Sequence, residues 1–390
     1  MDGLRRIRAA DLDAIESDPE LVARIRAEIE RDGPMTFARF MELALYDPVA
    51  GYYRSPDARP GRAGDFLTAP EAHPIFGRAI ARHVADVWRL LGEPERFTVR
   101  EYGAGAGALA AGLFDGLANE APSLARVVRY RPVEVEPRRI SELRTRLAPV
   151  APDAVEEDDG RPIVGVVIAN EVLDALPTHR VVGRGGRLRE VFVGWGADGF
   201  EDVEGEPSAP GIGARLAQEG IELADGQAGE VCLGVDRWVA AMATGLERGV
   251  ALLIDYGHPA RDLYDLRRRP RGTLLAYLRH VAHEEVYRAV GRQDLTAHVD
   301  VTAVEGAAAA AGLDHLGTAI QGRFLEALGI GELLVQLQSG PEASSPAGLA
   351  AYLEARAALI RMIDPAAMGG FRVMGFGRGL PGDARPLGFR

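Results

Sequence analysis

The chain has 390 residues, a formal net charge of −12 at pH 7 and one cysteine, Cys232. This length predicts one large domain with insertions or two unequal domains. A single cysteine excludes an internal disulfide and any site built from several thiolates, and it is typical of a reducing compartment. The negative charge argues against a general nucleic-acid binder, and no stretch approaches the roughly 20 apolar residues of a membrane span.

The N-terminal part of the chain shows helical patterns and no strand signal. Apolar residues recur at helical spacing within residues 12–30, and Gly33-Pro34 ends that helix. Thr36 is placed to cap a second helix, and a loop rich in Gly, Pro and Arg spans residues 51–70 before a third helix at about 71–91. We therefore expect residues 1–95 to form an N-terminal helical region with a loop. The first residues turn acidic at once and lack the apolar segment of a secretory signal.

From residue 97 onward, strands and helices alternate, which predicts a parallel sheet with crossover helices. The predicted strands are 97–102, 130–135, 163–169, 250–255 and 371–376, and the predicted helices are 108–117, 138–147, 236–248 and 301–311. Residues 180–193 are expected to form a hairpin, and the Gly- and acid-rich residues 201–229 a surface excursion.

A glycine-rich turn follows the first predicted strand. Glu101 precedes Gly103, Gly105 and Gly107, which have the spacing G-x-G-x-G and open a helix. Glycines allow close backbone approach to a ligand and positive φ values. A dinucleotide fingerprint has the spacing G-x-G-x-x-G and aims a helix N-terminus at a pyrophosphate. The shorter turn, beginning with a carboxylate, favours a ligand without phosphate that carries cationic groups.

The second predicted strand ends at another carboxylate, Glu134. An acidic residue at this place accepts hydrogen bonds from ribose hydroxyls in folds that bind an adenosine cofactor. The glycine turn and Glu134 together therefore favour an adenosine cofactor over a purely structural turn.

The sequence resembles the MidA-type methyltransferases, the family that includes the mitochondrial complex I assembly arginine methyltransferase. The resemblance runs through nearly the whole chain. Besides the glycine turn and Glu134, its motifs are GPMT at 33–36, MELALYDPVAGYY at 41–53, GRAGDFLTAPE at 61–71, ANEVLDALP at 169–177, DYGH at 255–258, GTLLAYLRH at 272–280, DLTAHVD at 294–300 and QGRFLEALGI at 321–330. Two alanines depart from the family, since Ala104 and Ala106 stand where its loop has proline and arginine. HEEVYRAV at 283–290 also replaces a Pro-rich turn.

The resemblance implies a class I methyltransferase fold: α/β, Rossmann-like, with a seven-stranded, mostly parallel sheet. The N-terminal region would be added to a catalytic domain at 96–390, with insertions at about 178–230 and 259–300 forming a lid. The cofactor would be S-adenosyl-L-methionine, leaving as S-adenosyl-L-homocysteine. The cofactor-binding residues would be Gly64, Asp65, Phe66 and Thr68 of a covering loop, with Glu101, Gly103, Gly105, Gly107, Glu134 and Asn170.

Four residues are candidates for the part of the site that faces the methyl acceptor. Glu171 and Asp174 follow a buried strand, and ligands of open α/β sheets lie outside the carboxyl ends of strands. Asp255 ends the next strand and should lie beside them, and the family carries a histidine at the place of His298. As an isolated pair, Glu171 and Asp174 would more often cap a helix. No metal is expected, because His280 and His283 have helical spacing but no third ligand.

These observations predict an S-adenosylmethionine-dependent enzyme that methylates a nitrogen acceptor, with a protein arginine as the first candidate. A small-molecule O- or N-methyltransferase and a non-catalytic S-adenosylmethionine-binding assembly factor are the alternatives. We expect a cytoplasmic protein whose methyl acceptor is a protein or a small molecule. We expect no nucleic-acid or membrane partner, and a homodimer is possible.

Overall fold

The structure, a computed structural model, describes residues 15–55, 67–339 and 345–390. The chain divides into two units that each have their own interior. The first unit comprises the described residues up to Leu67, Leu173–Trp238 and Gly257–Gly306. The second comprises Thr68–Val172, Val239–Tyr256 and Ala307–Arg390. Both expected insertions, at about 178–230 and 259–300, lie in the first unit.

Two helices of the first unit begin at capping side chains. Asp18 accepts a hydrogen bond from Leu21 N (3.1 Å), and Thr36, the predicted cap, accepts one from Arg39 N (3.1 Å). No helix of the described ranges is both long and apolar enough to cross a membrane. The helices are α1 (Pro19–Asp32), α2 (Phe37–Tyr46), α3 (Ala69–Ala72), α4 (Ile75–Leu90), α5 (Ala108–Glu120), α6 (Pro122–Val127), α7 (Pro137–Leu147), α8 (Pro210–Gln218), α9 (Gly234–Thr244), α10 (Ala260–Leu263), α11 (Val301–Ala310), α12 (Gln321–Ala327), α13 (Ile330–Ser339) and α14 (Pro346–Ile363).

The strands form one large sheet in each unit, with two smaller sheets in the first. They are β1 (Met35–Thr36), β2 (Phe97–Tyr102), β3 (Val128–Val133), β4 (Ile163–Asn170), β5 (His179–Arg184), β6 (Arg187–Gly196), β7 (Gly199–Gly205), β8 (Ala228–Val231), β9 (Leu246–Asp255), β10 (Gly257–His258), β11 (Leu275–Leu278), β12 (Val281–His283), β13 (Asp294–Thr296), β14 (Val299–Asp300), β15 (Asp314–Ile320) and β16 (Arg372–Arg378).

The second unit contains a six-stranded sheet in the order β15-β16-β9-β4-β2-β3. The pairs β2/β3, β2/β4 and β4/β9 are parallel, and β16 runs antiparallel to β9 and β15. The mostly parallel sheet was predicted, but with seven strands. In the described residues, a single parallel bridge from Tyr130 to Val155 lies beside β3, where a seventh strand would pair. The central strands β4 and β9 are buried along most of their length, which explains their continuous apolar runs.

The first unit contains a five-stranded antiparallel sheet in the order β1-β6-β5-β8, with β7 paired to β6. The predicted hairpin at 180–193 is confirmed as β5 and β6. The predicted surface excursion at 201–229 contains structure that was not expected, namely most of β7, all of α8 and the start of β8. A three-stranded sheet, β12-β11-β13, and the pair β10/β14 complete this unit.

Candidate active site

The loop after β2 is built on three glycines whose backbones lie in the left-handed region. Gly103, Gly105 and Gly107 have φ values of 66°, 50° and 80°, and Gly107 leads directly into α5. A Cβ added to Gly105 would meet no atom of the described residues within 4 Å. The predicted glycine turn between strand and helix is confirmed, and it is open at its centre.

The carboxylate of Glu134 lies against this loop. Gly105 N donates to Glu134 Oε2 at 2.8 Å, and Val135 N donates to Oε1 at 2.7 Å. Glu134 follows β3, whose parallel pairing with β2 brings both strand ends to one edge of the sheet. The parallel strands thus bring the glycine turn and this carboxylate together, and two backbone amides orient the carboxylate. The contact of Glu134 with the cofactor stays a prediction.

Glu101 is buried near the end of β2 and accepts a hydrogen bond from the hydroxyl of Tyr130 on β3, at 2.6 Å. Burial raises the pKa of Glu101 to about 8, although the Tyr130 hydroxyl acts in the opposite direction. Glu101 is therefore mostly a neutral acid at pH 7, whereas the sequence suggested a carboxylate. Its contact with the cofactor stays a prediction. Tyr130 was not predicted, because no motif marks it.

The end of β4 holds a residue in an uncommon backbone conformation. Glu171 has a φ of 53°, and its N donates to Ile254 O at 2.8 Å. Asn170 Nδ2 donates to Glu171 Oε1 at 3.1 Å, and the buried Asn170 Oδ1 accepts no hydrogen bond from the described residues. Left-handed backbone at a residue other than glycine costs about 1–3 kcal/mol and is concentrated at functional sites.

Asp255, at the end of β9, is fully buried and lies beside this turn, as predicted. Its Oδ2 accepts from Val172 N at 3.2 Å, and its Oδ1 accepts from Tyr256 N at 2.9 Å. The carboxylate thus anchors the backbone after both β4 and β9. A catalytic role for Asp255 stays a prediction, and the geometry shows a positioning one.

The first unit brings Asp174 close to the segment that carries His298. Asp174 is 6 % exposed, and its carbonyl accepts from Ala297 N at 3.0 Å. The ring of His298 stacks on that of His258, with centroids 5.4 Å apart and planes inclined by 27°. Burial, His258 and Arg269 lower the pKa of His298 to about 4. The imidazole is therefore neutral at pH 7, as an acceptor of protons must be. His258 and Arg269 were not predicted as site residues.

The predicted covering loop is only partly described. Gly64, Asp65 and Phe66 lie outside the described residues. Thr68 precedes α3, and its carbonyl accepts from Ala72 N at 2.9 Å. The predicted contact of Thr68 with the cofactor stays a prediction.

The residues of the second unit fit the expected cofactor. Gly105 leaves open space, and Glu134 offers a carboxylate to ribose hydroxyls beside it. The buried Asn170 Oδ1 needs a hydrogen-bond donor, and the ammonium group of S-adenosylmethionine is one.

Comparisons with known proteins agree with this chemistry. A family model described as S-adenosyl-L-methionine-dependent methyltransferase matches residues 79–319, more than half of the chain. A Drosophila melanogaster protein named protein arginine methyltransferase NDUFAF7 homolog, mitochondrial, is 29 % identical over 336 residues, covering 78 % of this chain and 74 % of the relative. The human protein arginine methyltransferase NDUFAF7, mitochondrial, is 27 % identical over 339 residues, covering 80 % and 73 %.

Solved structures show the same fold. A crystal structure from Burkholderia thailandensis with S-adenosyl-homocysteine bound is 34 % identical, with a TM-score of 0.85, and the match covers 95 % of this chain and 94 % of that one. A native structure of the same superfamily from that organism has a TM-score of 0.81 at 34 % identity, with the same coverage. The predicted fold class is confirmed. The relatives are mitochondrial by name, so the cytoplasmic location expected for this chain stays a prediction, as does a homodimer.

Proposed function

This chain belongs to the family of S-adenosyl-L-methionine-dependent methyltransferases, and we propose that it methylates a nitrogen atom of a protein arginine. The choice of arginine as the methyl acceptor rests on the likeness, over 78–80 % of the chain, to proteins named protein arginine methyltransferase. Carboxylates on the acceptor side, Glu171 and Asp174, suit a cationic guanidinium.

In this proposal, Gly103, Gly105, Gly107, Glu134 and Asn170 hold the cofactor. When bound, it supplies a methyl group that its sulfonium makes electrophilic. The protein then has two tasks, which are to align the acceptor and to manage its proton. The fixed carboxylate of Glu134 and the open turn at Gly105 hold the cofactor in position for the transfer.

Glu171 and Asp174 manage the charge of the acceptor. Deprotonating an arginine before transfer spans about 6 pKa units at pH 7, roughly 8 kcal/mol, which makes prior deprotonation implausible. Carboxylates can instead hold the guanidinium by paired hydrogen bonds and localise the lone pair of one nitrogen. Asn170 Nδ2, bound to Glu171 Oε1, orients the Glu171 carboxylate for that purpose. The proton that leaves the nitrogen passes to His298.

Product analysis tests the acceptor. The full chain is incubated with S-adenosylmethionine carrying a labelled methyl group and a native protein extract, and hydrolysed protein is analysed for methylarginines. We expect the label in methylarginine. Label only in low-molecular-weight products would contradict the proposal and support a small-molecule methyltransferase. Cofactor binding without any transfer would support the non-catalytic alternative.

Substitution of the acceptor-side carboxylates tests the mechanism. Removing one preorganised electrostatic partner typically lowers the rate about a hundred- to a thousandfold, so we expect this loss in single-turnover rates of Glu171→Gln and Asp174→Asn. Affinity for the cofactor should stay nearly unchanged. Glu142→Gln, at an exposed carboxylate on α7, is the matched control. Wild-type rates in both variants would show that these carboxylates only shape the fold.

A further inference from the structure

Glu101 is an acid enclosed in the second unit, the unit that also carries the glycine turn. Its side chain belongs to a residue that is 4 % exposed, and the hydroxyl of the fully buried Tyr130 donates to its Oε2 at 2.6 Å. The ring of Phe114 on α5 packs against that of Tyr130, with centroids 6.0 Å apart. A carboxylate in such surroundings needs a positive charge or several hydrogen-bond donors to stay ionised.

Two arginines lie close to Glu101 in the sheet, but both are held by other acids. Arg100 precedes Glu101 and therefore leaves the opposite face of β2, where its Nε donates to Asp158 Oδ1 at 2.9 Å. Arg131 lies opposite Arg100 in the parallel pair β2/β3, and its Nε donates to Glu156 Oε2 at 3.2 Å. Both positive charges are thus compensated on the face of the sheet that Glu101 does not use.

The carboxyl group of Glu134 adds to the cost of a negative charge on Glu101. Among the described residues, Tyr130 and Glu134 are the ionisable groups that shift the pKa of Glu101. Burial raises this pKa to about 8, the Tyr130 hydroxyl opposes the rise, and the repulsion from Glu134 adds to it. In the protein without cofactor, about nine in ten molecules therefore keep the proton on Glu101 at pH 7.

An acceptor on the neighbouring strand lies on the same face of the sheet. β2 and β4 are parallel, with Glu101 opposite Ile168 and Tyr102 opposite Ala169. Side chains alternate along a strand, so Asn170 shares the face of Ile168 and Glu101, nearer to the glycine turn. The buried Asn170 Oδ1 accepts no hydrogen bond from the described residues. An ammonium group at this place would give Asn170 its donor and Glu101 its positive partner.

We infer that Glu101 loses its proton when the ammonium group of S-adenosylmethionine or S-adenosyl-homocysteine binds beside it, which couples cofactor affinity to pH; this rests on the cofactor site of the proposed function. The O–H bond of the acid breaks, its electron pair stays on the carboxylate oxygen, and the proton passes to the solvent. The carboxylate then balances the ammonium charge, and the Tyr130 hydroxyl at Oε2 stabilises it. Binding and proton loss favour each other, so affinity rises with pH until Glu101 is ionised in the free protein as well.

The first test is calorimetric titration of the full chain with S-adenosyl-homocysteine, which carries the ammonium group and is not consumed. The titration is run at pH 6.5 in two buffers with different enthalpies of ionisation, so that the difference in heat gives the number of protons released. We expect at least about half a proton per bound cofactor in the native protein. Glu101→Gln, which can still accept from Tyr130 but has no proton to lose, should release close to none. Glu142→Gln, at an exposed carboxylate on α7, is the matched control and should behave as the native protein does.

The second test follows the Kd from pH 5.5 to 7.5, where the cofactor's ammonium group stays mostly charged because an α-amino group titrates at about 7.7–8.0. The native Kd should fall as the pH rises, by up to about tenfold per pH unit, whereas that of Glu101→Gln should change less than about threefold over the range. A native protein that binds without releasing a proton overturns the inference even if Glu101→Gln fails to fold. Equal proton release in both proteins overturns it as well, because the proton would then come from another group. Neither result concerns the methyl acceptor, which product analysis decides separately.

Discussion

Replacing Gly105 by valine should weaken cofactor binding while leaving the fold in place. Gly105 has a φ of 50°, and a side chain there would enter open space beside Glu134. The left-handed backbone costs a residue with a Cβ about 1–2 kcal/mol, so one part of the effect falls on stability. The other part falls on binding, because overfilling a fitted space costs about 1–3 kcal/mol, roughly 5- to 150-fold in Kd.

The assay is calorimetric titration with S-adenosyl-homocysteine, alongside urea unfolding of each variant. Gly185→Val is the matched control, since Gly185 has a φ of 55°, has no described atom within 4 Å of an added Cβ, and lies in the β5–β6 turn of the first unit. It should lose a similar free energy of unfolding and keep its Kd within about twofold. Wild-type affinity in Gly105→Val would refute the placement of the cofactor on this loop.

Two further predictions concern the carboxylates beside that loop. Glu134→Gln replaces a charged acceptor by a neutral one and should weaken binding by about 1–2 kcal/mol, roughly 5- to 30-fold, in equilibrium dialysis; an unchanged Kd would argue against a contact with the ribose. The pKa of Glu101, raised from 4.5 to about 8, means that its contribution to stability is complete below pH 4.5 and is lost as the pH rises through about 8. In urea unfolding from pH 5 to 8, the free energy of unfolding of Glu101→Gln should therefore change less with pH than that of the wild type, by at most about 1.4 kcal/mol per pH unit. If the two plots of unfolding free energy against pH run parallel, Glu101 is not a buried neutral acid.

The elements around the glycine turn were predictable because their signals are local. The strand Phe97–Tyr102 has the predicted bounds, since the glycine turn that begins at Gly103 marks its end. The helices α13 and α14 were missed for a physical reason: Leu349, Leu353 and Ile360 of α14 are about half exposed, so apolar residues do not mark one buried face. The strand β7 was missed because its acidic residues lie exposed, and hydrogen bonds to β6 hold it.

Of the candidate site, too, one part could be predicted from the sequence and another part could not. The meeting of Gly105 and Glu134 follows from the order strand, turn, helix, strand, which the sequence displays. The contacts of His298 with His258 and Arg269 depend on how the first unit folds, and no spacing in the sequence encodes them. The neutral state of Glu101 could not be predicted either, because it arises from burial in the folded chain, which outweighs the opposing hydrogen bond from the Tyr130 hydroxyl.

In a mutational library at position 171, the backbone conformation determines which residues are tolerated, before any effect on the chemistry can be seen. At a φ of 53°, glycine, asparagine and aspartate are accommodated at low cost, whereas valine, isoleucine and threonine are strongly disfavoured. A screen that finds the β-branched variants inactive would report conformational intolerance, although it would look like the loss of a reactive group. Asparagine is the informative replacement, because it accepts the left-handed backbone and removes the negative charge. Its activity relative to that of the aspartate variant measures what the carboxylate does.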